Sequence, residues 1–65
     1  MSGYQFAFNY LHAIEKKHQD YFKSSGLKIM DCVAIKGTKN ISVYILNKNL
    51  PFEIRYDIEI MFWVE

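Results

Sequence analysis

FEIRYDIEIMFWV, residues Phe52 to Val64, is the stretch whose reading decides the fold. Phe52, Ile54, Tyr56, Ile58, Ile60, Phe62 and Val64 are apolar, and Glu53, Arg55, Asp57 and Glu59 between them are charged. Strict alternation is the pattern of a strand with one face in a core and the other in water. In the last third Met61 and Trp63 occupy the outward positions, so the strand becomes apolar on both faces. The stretch is expected to anchor the core at its start and to offer an interface at its end.

Working outward towards the N-terminus, Asn47, Lys48, Asn49, Leu50 and Pro51 form a turn, with Pro51 removing a backbone donor just before the strand. Ile41, Val43 and Ile45 give a second strand its inner face, while Ser42, Tyr44 and Leu46 face the other way. Gly37, Thr38, Lys39 and Asn40 are a polar hairpin connection. Leu27 to Lys36 reads as the first strand, with Leu27, Ile29, Val33 and Ile35 inward and Met30, Cys32 and Ala34 outward. Asp31 falls on the inner face, which calls for a bulge or a buried partner.

Further back, Ser2 and Gln5 have capping-box spacing. Tyr4, Ala7, Phe8, Leu11, Ile14, His18, Tyr21 and Phe22 recur at three and four, which predicts one long helix ended by Ser24, Ser25 and Gly26. Tyr4, Phe6, Phe8 and Tyr10 also alternate, so a strand over 3–11 followed by a shorter helix is the competing reading. The expected architecture is therefore α+β, one N-terminal helix on a three-stranded antiparallel sheet, as an α-β-β-β meander over residues 1–65. A single helix covers one sheet face. Met30, Cys32, Tyr44, Leu46, Met61 and Trp63 would share the uncovered face and form a protein interface, with a homodimer as its first product.

Composition narrows the function classes. A chain of 65 residues is one domain, and such a domain buries only about 60% of its unfolded surface, so a partner would help to stabilise it. Cys32 is the sole cysteine, which rules out an internal disulfide and fits a reducing, cytoplasmic setting. No signal peptide or membrane-length apolar run is visible. Residues 1–50 carry seven lysines against three acids, and residues 51–65 one arginine against four acids, so the chain is bipolar while its net charge is +1. Eleven aromatic residues are more than one small core accommodates, which assigns some of them to an interface.

Chemical constellations are weak. His12, Glu15 and His18 are spaced by three, with Cys32 as a soft ligand, but one such set lacks the duplicated ligands of helical metal centres. No metal or cofactor is expected. Cys32 with His18 or His12 would make a nucleophile pair by residue type alone, and Asp31 beside Cys32 opposes thiolate formation. The carboxylates Glu53, Asp57 and Glu59 read as a solvated strand face, and no phosphate loop or serine elbow is present. No catalytic residue is assigned.

Lys16, Lys17, Lys23 and Lys28 could line phosphates, which makes a small nucleic-acid-binding module the alternative function. The expected α-β-β-β order resembles the first part of a double-stranded RNA-binding domain, without that family's final helix and basic entry. A single arginine and the acidic C-terminal stretch favour a protein partner instead. The sequence reading is thus a non-enzymatic regulator, inhibitor or accessory factor.

Overall fold

The three-four spacing of the N-terminal third does fold as helix, but in two pieces. The computed structural model describes residues 3–37 and 41–61. Its elements are α1 (Gly3–Lys17), α2 (Gln19–Ser25), a 3-10 turn (Ile29–Asp31), β1 (Val33–Lys36), β2 (Ser42–Ile45) and α3 (Phe52–Met61). The fold is mixed α+β and mostly helical. Among the described residues there are three helices and a two-stranded antiparallel ribbon, in place of the expected single helix on a three-stranded sheet.

The largest correction is α3. Ile54 and Ile58 are four residues apart, a spacing common to a period of 2 and a period of 3.6, and both are buried. The readings part at Tyr56, which a strand would turn inward; it is 51% exposed. Two features select helix. Pro51 lies immediately before α3, and its carbonyl accepts the N–H of Ile54 and of Arg55, both at 3.1 Å. Glu53 sits in the first turn, where a carboxylate complements the positive end of the helix dipole.

The first expected strand is also shorter. Residues 29–31 close a 3-10 turn, with Asp31 N–H bonded to Lys28 O at 3.0 Å and Cys32 N–H to Ile29 O at 2.9 Å. This turn carries Asp31 into solvent, which resolves its apparent place on an inner face. β1 and β2 then pair in the register Val33 with Ile45, Ala34 with Tyr44, Ile35 with Val43 and Lys36 with Ser42. The Cys32 carbonyl extends the ladder by accepting Leu46 N–H at 2.8 Å.

α1 and α2 meet at His18, whose backbone leaves helical values at φ −109° and ψ 34°. The break redirects α2 so that Phe22 enters the core. The strand alternative over 3–11 is excluded, since α1 covers all of it; Ser2 of the expected capping box lies outside the described residues. α2 ends as expected. Gly26 adopts φ 73° and returns its N–H to Phe22 O at 3.1 Å. No neighbour crowds a side chain there, so the left-handed backbone alone favours glycine. Gly26→Ala is expected to destabilise by about 1–2 kcal/mol in chemical denaturation.

The core is built from Leu11 and Ile14 of α1, Phe22 of α2, Ile29 and Cys32 around the 3-10 turn, Val33, Leu50, and Ile54 and Ile58 of α3. Burying each aliphatic side chain contributes about 1.5–3 kcal/mol. Tyr21, Leu27, Met30, Ile35, Val43 and Ile45 pack around this centre. Tyr4 and Phe8, expected inside, are exposed. Tyr4 instead donates its hydroxyl to Gly37 O at 2.6 Å, which ties the first turns of α1 to the end of β1.

Candidate functional site

Two flanks of α1 carry different chemistry. On one side Tyr10, Ala13, Ile14 and Lys17 line a groove of about 300 Å3 whose other wall is Asp57 and Ile60 of α3. A neighbouring groove formed by Phe6, Asn9, Tyr10 and Ala13 continues it towards the start of α1. Phe6 and Tyr10 lie one turn apart with ring centroids 6.0 Å apart, and both are exposed.

Asp57 closes this side. Its Oδ2 accepts from Lys17 Nζ at 3.0 Å and from His18 Nε2 at 2.7 Å, joining α3 to the α1–α2 break. Burial alone would raise the Asp57 carboxyl, but the bonds from His18 and Lys17, with their charge, outweigh it and hold the group below its ordinary value. Sequence reasoning placed Asp57 among solvated carboxylates. The residue is in fact the polar clasp between helices, and no local pattern signals a partner 40 residues away.

On the opposite flank His12, Glu15, Lys16 and Gln19 border a cleft of about 470 Å3, completed by Phe22, Lys23, Leu27 and Lys28. Three of the four lysines read from the sequence, Lys16, Lys23 and Lys28, therefore meet around one cleft, while Lys17 goes to Asp57. Among the described residues no ion pair engages Lys16, Lys23 or Lys28. The carboxylate in this cleft is already committed: Glu15 Oε2 accepts Ile29 N–H at 2.8 Å, and Oε1 lies 3.7 Å from His12 Nδ1. The floor is apolar, since Phe22 is buried and Leu27 half-buried.

The residues weighed as metal ligands point to separate tasks. Glu15 holds the 3-10 turn, His18 holds Asp57, and Cys32 Sγ donates to Lys28 O at 3.4 Å. Among the described residues no three histidine, cysteine or acidic side chains gather closely enough to hold a metal ion. Burial pushes the Cys32 thiol up, as do the nearby charges of Asp31 and Glu15, against a smaller lowering by a hydrogen bond with Asn47. With 1% exposure Cys32 is expected to react with a disulfide reagent only after denaturation. Rapid modification of the folded protein near neutral pH would contradict this placement.

The six residues expected to share one open face are distributed differently. Met30 packs against the core and Cys32 lies within it. Tyr44 and Leu46 are exposed on and just after β2, with Lys36 Nζ 5.7 Å from the Tyr44 ring. Met61 ends α3 and its side chain lies outside the described set, as does Trp63. With Cys32 in the core and residues 52–61 helical, the described residues form no three-stranded sheet face to collect them.

The exposed surface that replaces it is on α3. Phe52 and Tyr56 stack at 5.9 Å with 27° between their planes, and they are 69% and 51% exposed. Glu53 and Glu59 are exposed beside them. Arg55, the cation of this helix, turns back to donate Nε–H to Leu50 O at 3.1 Å. The outer face of α3 is therefore aromatic and acidic.

Comparison with known proteins gives no family model that matches the chain, and no curated protein or solved structure matches it either. No described helix is long and apolar enough to cross a membrane.

Proposed function

We propose that the protein is a non-enzymatic protein-binding module of the regulator, inhibitor or accessory kind. The observation carrying this reading is the exposure of paired aromatic rings, Phe6 with Tyr10 and Phe52 with Tyr56, on helices whose inner faces are already buried. Rings held in pairs supply contact area at small entropic cost, and such side chains dominate binding energy at protein interfaces. Folding leaves them in water; a partner removes them from it. The buried, unpaired thiol of Cys32 supports a cytoplasmic setting.

The test is affinity capture from host extract with wild type, Phe6→Ser/Tyr10→Ser and Phe52→Ser/Tyr56→Ser as baits, followed by titration of the purified partner. A partner whose dissociation constant rises about tenfold or more with one pair removed supports the reading. Identical capture by all three baits would falsify it.

The convergence of Lys16, Lys23 and Lys28 favours nucleic acid as a second reading. Of the rings lining their cleft Phe22 is buried and the imidazole of His12 is exposed, so no exposed phenyl, phenol or indole ring stands there for a base to stack on. An acidic protein surface fits it better.

A further inference from the structure

The molecule carries two surfaces that complement each other and cannot meet within one copy. The lysine-bordered cleft lies on one flank of α1, and α3 packs along the other. In the cleft, Lys16, Lys23 and Lys28 surround an apolar floor. On the outer face of α3, Glu53 and Glu59 flank the stacked rings of Phe52 and Tyr56. Cation ring and apolar floor on one surface match acid pair and aromatic ridge on the other.

Resting on the protein-binding reading above, we propose that α3 of one copy of this chain docks head-to-tail into the α1–α2 cleft of a second copy. Three observations choose a second copy over an unrelated partner. First, the charges oppose in place as well as in sign: the N-terminal fifty residues carry the surplus of cations and the C-terminal fifteen the surplus of acids. Second, the like charge prevails on each surface. Glu15, tied to Ile29 N–H, keeps its charge but faces three lysines in the cleft, and Arg55, turned back to Leu50 O, faces Glu53 and Glu59 on α3. Third, the net charge of +1 leaves little long-range repulsion between copies.

Because the two surfaces differ, the contact is heterologous, and an open assembly keeps one free cleft at one end and one free α3 at the other unless a ring closes. Phe52 and Tyr56 are its anchors. The surrounding charges orient the encounter and make the association sensitive to salt, since exposed pairs are screened within about 8 Å at physiological ionic strength.

The experiment is sedimentation velocity on the full chain from micromolar to millimolar concentration, at low and high salt, with two charge-reversed variants. Lys16→Glu/Lys23→Glu inverts the cleft and leaves α3 acidic; Glu53→Lys/Glu59→Lys inverts α3 and leaves the cleft basic. All four positions are exposed, and circular dichroism checks that each variant folds. Should either unfold, Lys16→Gln/Lys23→Gln and Glu53→Gln/Glu59→Gln take their place in testing the loss of association.

Wild type is expected to grow in average mass with concentration and to lose that growth in high salt. Each variant alone is expected to associate about tenfold or more weakly, and an equimolar mixture of the two charge-reversed variants to recover association. A wild type that stays monomeric throughout, or a mixture no better than its components, overturns the proposal. So does single-stranded DNA binding at low salt that Lys16→Glu/Lys23→Glu abolishes while self-association is unchanged. A monomeric wild type that still captures a partner through Phe52 and Tyr56 removes the second copy and leaves the protein-binding reading standing.

Discussion

Ile54→Ala is expected to remove about 2–5 kcal/mol of stability, measured as a fall in the urea midpoint at unchanged slope. The total available to 65 residues is about 3–10 kcal/mol, so this one truncation takes the protein close to unfolding. The site cannot relax easily. Ile54 is 1% exposed in the cluster that contains Leu11, Ile29 and Ile58, and each of these comes from a different turn or element. The informative control is Tyr56→Ser. A strand over 52–64 would make Tyr56 as costly to lose as Ile54. On the outer face of α3 its loss should change stability by no more than about 0.5 kcal/mol. Comparable losses at 54 and 56 would refute the helix.

The second large effect is at Asp57. Asp57→Ala leaves His18 Nε2 and Lys17 Nζ without their shared acceptor and is expected to cost about 1–3 kcal/mol. Lys17→Ala should cost less, about 0–1 kcal/mol, because its side chain is 65% exposed whereas those of His18 and Asp57 are 15% exposed. The same clasp sets an acid dependence. The Asp57 carboxyl is held below its ordinary value of 3.8 in the folded protein, so on acidification the unfolded chain takes up this proton first. The contribution is complete above that value and is lost as the pH falls through the folded one. Urea titrations across the acid range should show wild type losing this component, and Asp57→Ala should lack it. An identical acid profile for both proteins would refute the assignment.

How far the fold was legible in the residues follows from which signals were unique. Leu11, Ile14 and Phe22 share a helical period, which predicts helix but not the break at His18 that makes two helices of the expected one, and Gly26 has one conformational use at a helix end. The paired strands around 37–40 were marked by alternation on either side of a polar link, although Ile29 and Cys32 spent their inward and outward positions on a 3-10 turn. Residues 52–61 defeated the reading because isoleucines four apart satisfy two periods at once. Pro51 and Glu53 carried the deciding information, and they act through backbone geometry and the helix dipole rather than through hydropathy.

The candidate surfaces divide in the same way. The four lysines are grouped in the sequence by residue type alone, with Lys28 on an expected strand; only the structure parts Lys17, which pairs with Asp57, from the three that border the cleft. The acidic aromatic face needed α3 to be a helix: only then do Phe52 and Tyr56 stack, with Glu53 and Glu59 beside them. The role of Asp57 depends on packing across 40 residues of chain, which no local pattern encodes.

That distance also orders the events of synthesis. α1 emerges from a ribosome first, yet the helix that covers its Leu11 and Ile14 side, and the carboxylate that fixes Lys17 and His18, follow some 40 residues later. Until then the part of the Leu11 and Ile14 side that α3 covers has no partner, beside Phe6 and Tyr10, which stay exposed even in the folded protein. The contacts of α1 with α2 and the 3-10 turn become available before those with α3, so the α3 side of the core is the last of them that synthesis can complete.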